Sequence, residues 1–121
     1  MINDNFLTAL AKLMNSESAS MPSYLAYGSS TMVVETDSSS LVDEYNNRDA
    51  VSGSRSGTVV TFNGLRSGSV VGSAGDTLYT VGLYDSVSGG NLMSAVLTSS
   101  ILHTSSFDID IDWQFTIKRV S

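Results

Sequence analysis

Apolar and polar residues alternate without a break from Phe107 to Lys118. Phe107, Ile109, Ile111, Trp113, Phe115 and Ile117 fall on one side, and Asp108, Asp110, Asp112, Gln114, Thr116 and Lys118 on the other. A period of two sustained over this length predicts a β-strand with one dry and one wet face. At about 3.3 Å per residue it would run roughly 40 Å. Only a second apolar layer can cover such a face, so the pattern places this strand centrally in a β-sandwich or barrel.

The N-terminus keeps a different period. Ile2, Phe6, Leu10 and Leu13 share one face of a helix over Ile2 to Met14, Leu7 and Met14 widen that face, and Asn3 or Asp4 can cap its start. Three turns do not hold in water alone, so the face must dock. It docks either on its own sandwich or on a neighbouring subunit. On the second reading Ile2, Phe6, Leu7, Leu10 and Leu13 form a candidate assembly interface.

Between these two stretches the pattern predicts short strands and turns. Ser23 to Tyr27 reads as a strand closed by a turn at Gly28, Ser29 and Ser30. Thr31 to Glu35 reads as a strand or an extended arm, and Asp37 to Ser40 as the cap of a helical turn over Leu41 to Tyr45. Arg48 to Ser54 and Thr58 to Leu65 form two strands joined near Arg55 to Gly57. Ser67 to Gly75 is a linking segment and Leu78 to Asp85 a buried strand. Ser86 to Gly90 makes a tight turn, Asn91 to Thr98 pairs back, and Ser99 to Ser106 is the last connection. The expected fold is all-β: an antiparallel β-sandwich, jelly-roll or immunoglobulin-like, with a short N-terminal helix. The helix falls within residues 1–15 and the sandwich over 23–121, in one globular domain.

Composition narrows the function. The chain of 121 residues is 41% hydrophobic and only 15% charged, which suits a packed all-β protein. Its net charge is −6, and Lys12, Arg48, Arg55, Arg66, Lys118 and Arg119 are scattered. Nucleic acid needs a clustered basic patch, so it is not an expected partner. Without cysteine there is neither a disulfide framework nor a Cys-based zinc site. The first residues carry Asp4 and no basic region, unlike a signal peptide, and no apolar run has the length of a membrane span. The expectation is a protein made in the cytoplasm with no membrane partner.

Few residues suggest chemistry. Asp108, Asp110 and Asp112 would project from one strand face about 7 Å apart, a weak candidate site for a cation such as Ca²⁺. An EF-hand loop would need glycine after the third aspartate, where Trp113 stands. The other reading is a solvated row, or partners for arginines on adjacent strands or subunits. His103, the single histidine, reads as a loop residue, since no Gly-x-Ser-x-Gly elbow accompanies it; in Gly53-Ser54-Arg55-Ser56-Gly57 an arginine takes the nucleophile's place. Gly64, Gly68 and Gly72 lack the Gly-Lys-Ser/Thr ending of a phosphate loop. Tyr24, Tyr27, Tyr45, Tyr79 and Tyr84 would make a sugar-stacking platform only if several faced solvent together. No enzyme class and no cofactor follow from these residues.

Taken together, the segments resemble small structural proteins of tailed-bacteriophage virions, of the minor structural, tail-fibre-like or collar type. The pieces fall in the family's order. A helix precedes Tyr24-Leu25-Ala26-Tyr27-Gly28; then come Leu41, Glu44 and Arg48, similar to the family's L-x-x-E-x-x-R turn, and Ser56-Gly57-Thr58-Val59-Val60-Thr61. Thr80-Val81-Gly82-Leu83-Tyr84-Asp85 followed by Gly89-Gly90-Asn91-Leu92-Met93 is similar to a family hairpin, and His103-Thr104-Ser105-Ser106 leads into the closing strand. Thr80 stands where an acidic residue is usual, and His103 where lysine is usual. The resemblance implies a non-enzymatic virion protein that assembles by symmetric self- and neighbour contacts as a tail, neck or baseplate component. Its partners would be other virion proteins, including the tail, neck or major capsid protein, and its own copies in a homo-oligomer. A capsid-decorating (cement) protein on the head is the first alternative, and a carbohydrate-binding module for host attachment the second.

Overall fold

The alternating C-terminal stretch does form a strand, but at the margin of its sheet. In the computed structural model, which describes residues 1–119, it spans Ile109–Thr116 (β7) and pairs with β4 (Val59–Arg66) alone among the described residues. β3 (Ser52–Ser56) completes a three-stranded antiparallel sheet in the order β3-β4-β7. The expected central position is therefore corrected: alternation reports one covered face, and says nothing about how many neighbours a strand has. The facing sheet runs β2-β1-β5-β6, built from Asp49–Ala50 (β2), Tyr24–Gly28 (β1), Asp76–Tyr84 (β5) and Leu92–His103 (β6). Two antiparallel sheets and one helix make this a β-sandwich, as the sequence pattern predicts.

Three local readings change. The strand expected over Arg48 to Ser54 is two strands, β2 in one sheet and β3 in the other, with Val51 between them at the corner. The helical turn expected over Leu41 to Tyr45 is absent; Asp43 takes a positive φ of 49°, and Glu44 forms a β-bridge with Gly28. β6 runs on through Ser99 to His103, which had read as a connection, because it bulges: Thr80 pairs with Leu97 but Leu78 with Ile101.

Two apolar layers result. Between the sheets lie Leu25, Tyr27, Phe62, Leu78, Val81, Leu83, Met93 and Phe115. The outer face of the larger sheet is covered by the irregular segment 29–47, whose Leu41, Met32 and Val34 pack on Ala26, Tyr84, Leu92 and Ala95. The N-terminal helix (α1, Asp4–Met14) belongs to the first layer. Asn3 caps it by accepting the Asn5 N–H, and Phe6 stacks on Phe115 with ring centroids 4.6 Å apart. Its buried residues are Phe6 and Ala9, with Leu10 partly buried, so the covered face is turned from the one expected. Ile2 lies outside the helix and bridges to Ser94 at the edge of β6.

Candidate functional site

Two of the sequence pieces that carry the resemblance, Leu41 to Arg48 and the Thr80–Met93 hairpin, meet in one place. Arg48 grips the Glu44 carboxylate in a fork, Nε to Oε2 at 2.7 Å and Nη2 to Oε1 at 3.0 Å. Its Nη1 donates to the carbonyls of Ser86 and Gly89, and its guanidinium lies 3.7 Å from the centre of the Tyr84 ring. The fork to Glu44 holds the guanidinium's pKa above its ordinary value, against the opposing pull of burial. The Tyr84 hydroxyl accepts the Leu41 N–H, while Leu41 sits over Gly82. A Cβ on Gly82 would come within 2.9 Å of Leu92 Cδ1 and 3.2 Å of Leu41 Cδ2, so glycine makes room for the leucine. Gly89 and Gly90 turn the chain at φ of 58° and 71°, and Asp85 closes the turn by accepting both the backbone and side-chain N–H of Asn91. The Leu41 to Arg48 segment is thus a clamp on the Val81–Leu92 hairpin, and the motif residues act on one another.

The aspartate row does not converge. Asp108 accepts the Gly68 N–H at 2.7 Å, and Asp110 and Asp112 each accept a bond from Asn63 Nδ2 at 2.7 Å. Among the described residues no group of three acidic, histidine or cysteine side chains is placed to hold a metal ion. Nor does any of the three pair with a cation: the two ion pairs among the described residues are Arg48–Glu44 and Arg66–Asp76.

His103 is a strand residue and fully buried, contrary to the loop position expected. Its Nδ1 faces Arg66 Nη1 and its Nε2 lies 2.7 Å from the Phe107 carbonyl. Since guanidinium only donates, Nδ1 accepts and the Nε2–H donates to Phe107, which assigns the neutral tautomer. Arg66, 1% exposed, also holds Asp76 at 2.8 Å. Nearby, the Tyr27 hydroxyl donates to Asp49 at 2.7 Å, and desolvation, aided by that carboxylate, pushes its pKa well above the ordinary phenol range. Inside the fold these groups bond to one another, while Arg66 Nε is buried without a hydrogen-bond partner. The sequence did contain the signal: Val60, Phe62, Gly64 and Arg66 share the inward parity of β4.

The tyrosines do not assemble a solvent-facing platform. Tyr27 and Tyr84 are buried, and the Tyr45 hydroxyl donates to the Thr77 carbonyl. The helix candidates divide. Phe6 is in the protein's own core and cannot serve an interface, Leu10 is partly covered, and Ile2, Leu7 and Leu13 stay exposed.

The sequence did not point to the site that the fold leaves open. Along one side of the sandwich β6 and β7 do not meet. An open groove of about 380 Å³ runs between them, walled by Leu78, Val81, Val96, Ile101, Ile111 and Trp113. Residues 1–3 cover the β6 edge only beside Met93 to Ala95, through Asn3 N–H to Met93 O and Ala95 N–H to Met1 O. β7 has no neighbour on its outer side among the described residues. Two unpaired edges flanking an apolar groove are chemically suited to take another chain. No protein-family model, curated protein or solved structure matches this chain.

Proposed function

We propose that this chain is a non-enzymatic structural protein of a tailed-phage virion, built into the tail, neck or baseplate through contacts with its own copies and with neighbouring virion proteins. The observation that carries the reading is the open side of the sandwich, where two strand edges and an apolar groove stand ready for another chain. The exposed Leu7 and Leu13 of α1, and Leu97 and Leu102 of β6, add apolar surface beyond it. Support also comes from the sequence resemblance, two of whose pieces interlock as a clamp that holds the hairpin. Repetition by symmetry would multiply a modest interface into a stable ring.

Decoration of the capsid surface is the second reading, favoured by the same apolar surface. Antibody against the chain, gold-labelled and imaged on purified virions, separates the two. Label at one end of the tail or at the neck supports the proposal. Label spread over the head supports the decoration reading, and no label on any particle refutes both.

A further inference from the structure

We infer that the free edge of β7 receives, as an added antiparallel strand, an extended segment of a different protein in which apolar and basic residues alternate. The phase of the β4–β7 ladder fixes which groups are free. Ile117 N–H donates to Thr58 O at 2.9 Å, and the register from Val59–Thr116 to Arg66–Ile109 is unbroken. Alternation along an antiparallel ladder then turns the odd-numbered residues of β7 toward β4 and leaves the N–H and C=O of Asp110, Asp112 and Gln114 on the open side. The residues that offer unpaired backbone groups are the ones that carry the carboxylates.

Charge selects the partner. Each of Asp110 and Asp112 has one hydrogen bond from Asn63 and, among the described residues, no cation. Their neighbours on that outer face are neutral: Asn63 and Ser52 lie in register with Asp112, Leu65 with Asp110, and Thr61 and Ser54 with Gln114. Residues added directly opposite Asp110 and Asp112 share their face, so lysine or arginine there meets unpaired charge. Residues opposite Ile111 and Trp113 share the inner face and enter the groove. The β7 of a second copy of this chain does not fit. Antiparallel pairing of β7 with itself in the longest in-phase overlaps sets carboxylates face to face or diagonal to one another, which is repulsive. None of its six basic residues alternates with apolar ones along a strand; Lys118 and Arg119 are adjacent. The aspartates thereby bar pairing of β7 with another β7 and admit a basic strand, whatever larger structure the chain joins.

The test uses Trp113, the single tryptophan, which lines the groove. The full chain is titrated with a nine-residue peptide of alternating lysine and valine, and the emission of Trp113 is followed. The inference expects a saturable blue shift as the groove is covered. Binding should weaken about 10-fold in the double variant Asp110→Asn, Asp112→Asn. N-methylation of the lysine amides, which must bond the edge, should abolish binding, whereas N-methylation of the valine amides should leave it nearly unchanged. No shift, an equal shift with a peptide of the same composition in two blocks, or equal binding of both methylated peptides would overturn the inference.

Discussion

Replacing Arg48 by alanine should unfold the protein far more easily than an ordinary surface change, because four interactions leave with one side chain. The guanidinium lies 3.7 Å from the Tyr84 ring centre, a contact worth about 1 kcal/mol when partly desolvated. Its fork to Glu44 is largely shielded, with the side chains 6% and 22% exposed, and contributes about 1–2 kcal/mol at that partial burial. The carbonyls of Ser86 and Gly89 stand near solvent and recover water, so they add little. The sum is about 2–3 kcal/mol, which in a domain of this size lowers Tm by roughly 10 °C. Urea melts followed by Trp113 fluorescence would read the loss. Arg48→Lys should recover less than half of it, since an ammonium cannot make the fork or lie flat on the ring. In a double-mutant cycle with Glu44→Gln the two losses should couple by about 1 kcal/mol or more. A loss below about 0.5 kcal/mol, the range of an uninvolved surface site, would refute the clamp. So would full recovery with lysine.

The other predictions concern the core and its tyrosines. Phe6→Ala should cost about 3–5 kcal/mol, because Phe6 is buried and stacked on Phe115, and removal of residues 1–15 should leave a chain that does not fold; a stable truncated sandwich by circular dichroism would return the helix to the role of a docking device. Gly82→Ala should cost about 1–3 kcal/mol through the collision with Leu92 and Leu41, read in the same urea melts, and Leu41→Ala in that background should restore part of it. Tyr27 holds its proton more tightly when folded than unfolded, so its contribution is complete below about pH 10 and is lost as pH rises beyond that, by up to about 1.4 kcal/mol per pH unit. Alkaline melts should show this slope and Tyr27→Phe should reduce it; an unchanged slope contradicts the buried phenol.

The strands, the helix and the hairpin were legible because each announces itself by a local period or turn. Alternation marked β7 from Ile109 to Thr116, and two glycines before Asn91 marked the turn that closes β5 on β6. What alternation does not encode is the number of neighbours. The pattern predicts a central β7 because its dry face is long, yet Asp110 and Asp112 on the wet face are a device of an edge strand. Segment 29–47 was harder. It has no period because its backbone forms only single bridges, and Leu41 finds its place through Gly82, some forty positions away. The open groove could not be read at all, since it exists only where Val96 and Ile101 of one sheet face Ile111 and Trp113 of the other. The burial of His103 and Arg66 is hidden for a related reason: the buried arginine finds its partners on β5 and β6, and no local pattern brings those together.

The most direct test of the virion assignment is the number of copies of this chain per particle, measured by quantitative mass spectrometry on virions purified from the source that encodes it, with the major capsid protein as reference. The account predicts a small, fixed number, as a tail, neck or baseplate ring requires. Absence of the chain from the particle would contradict it.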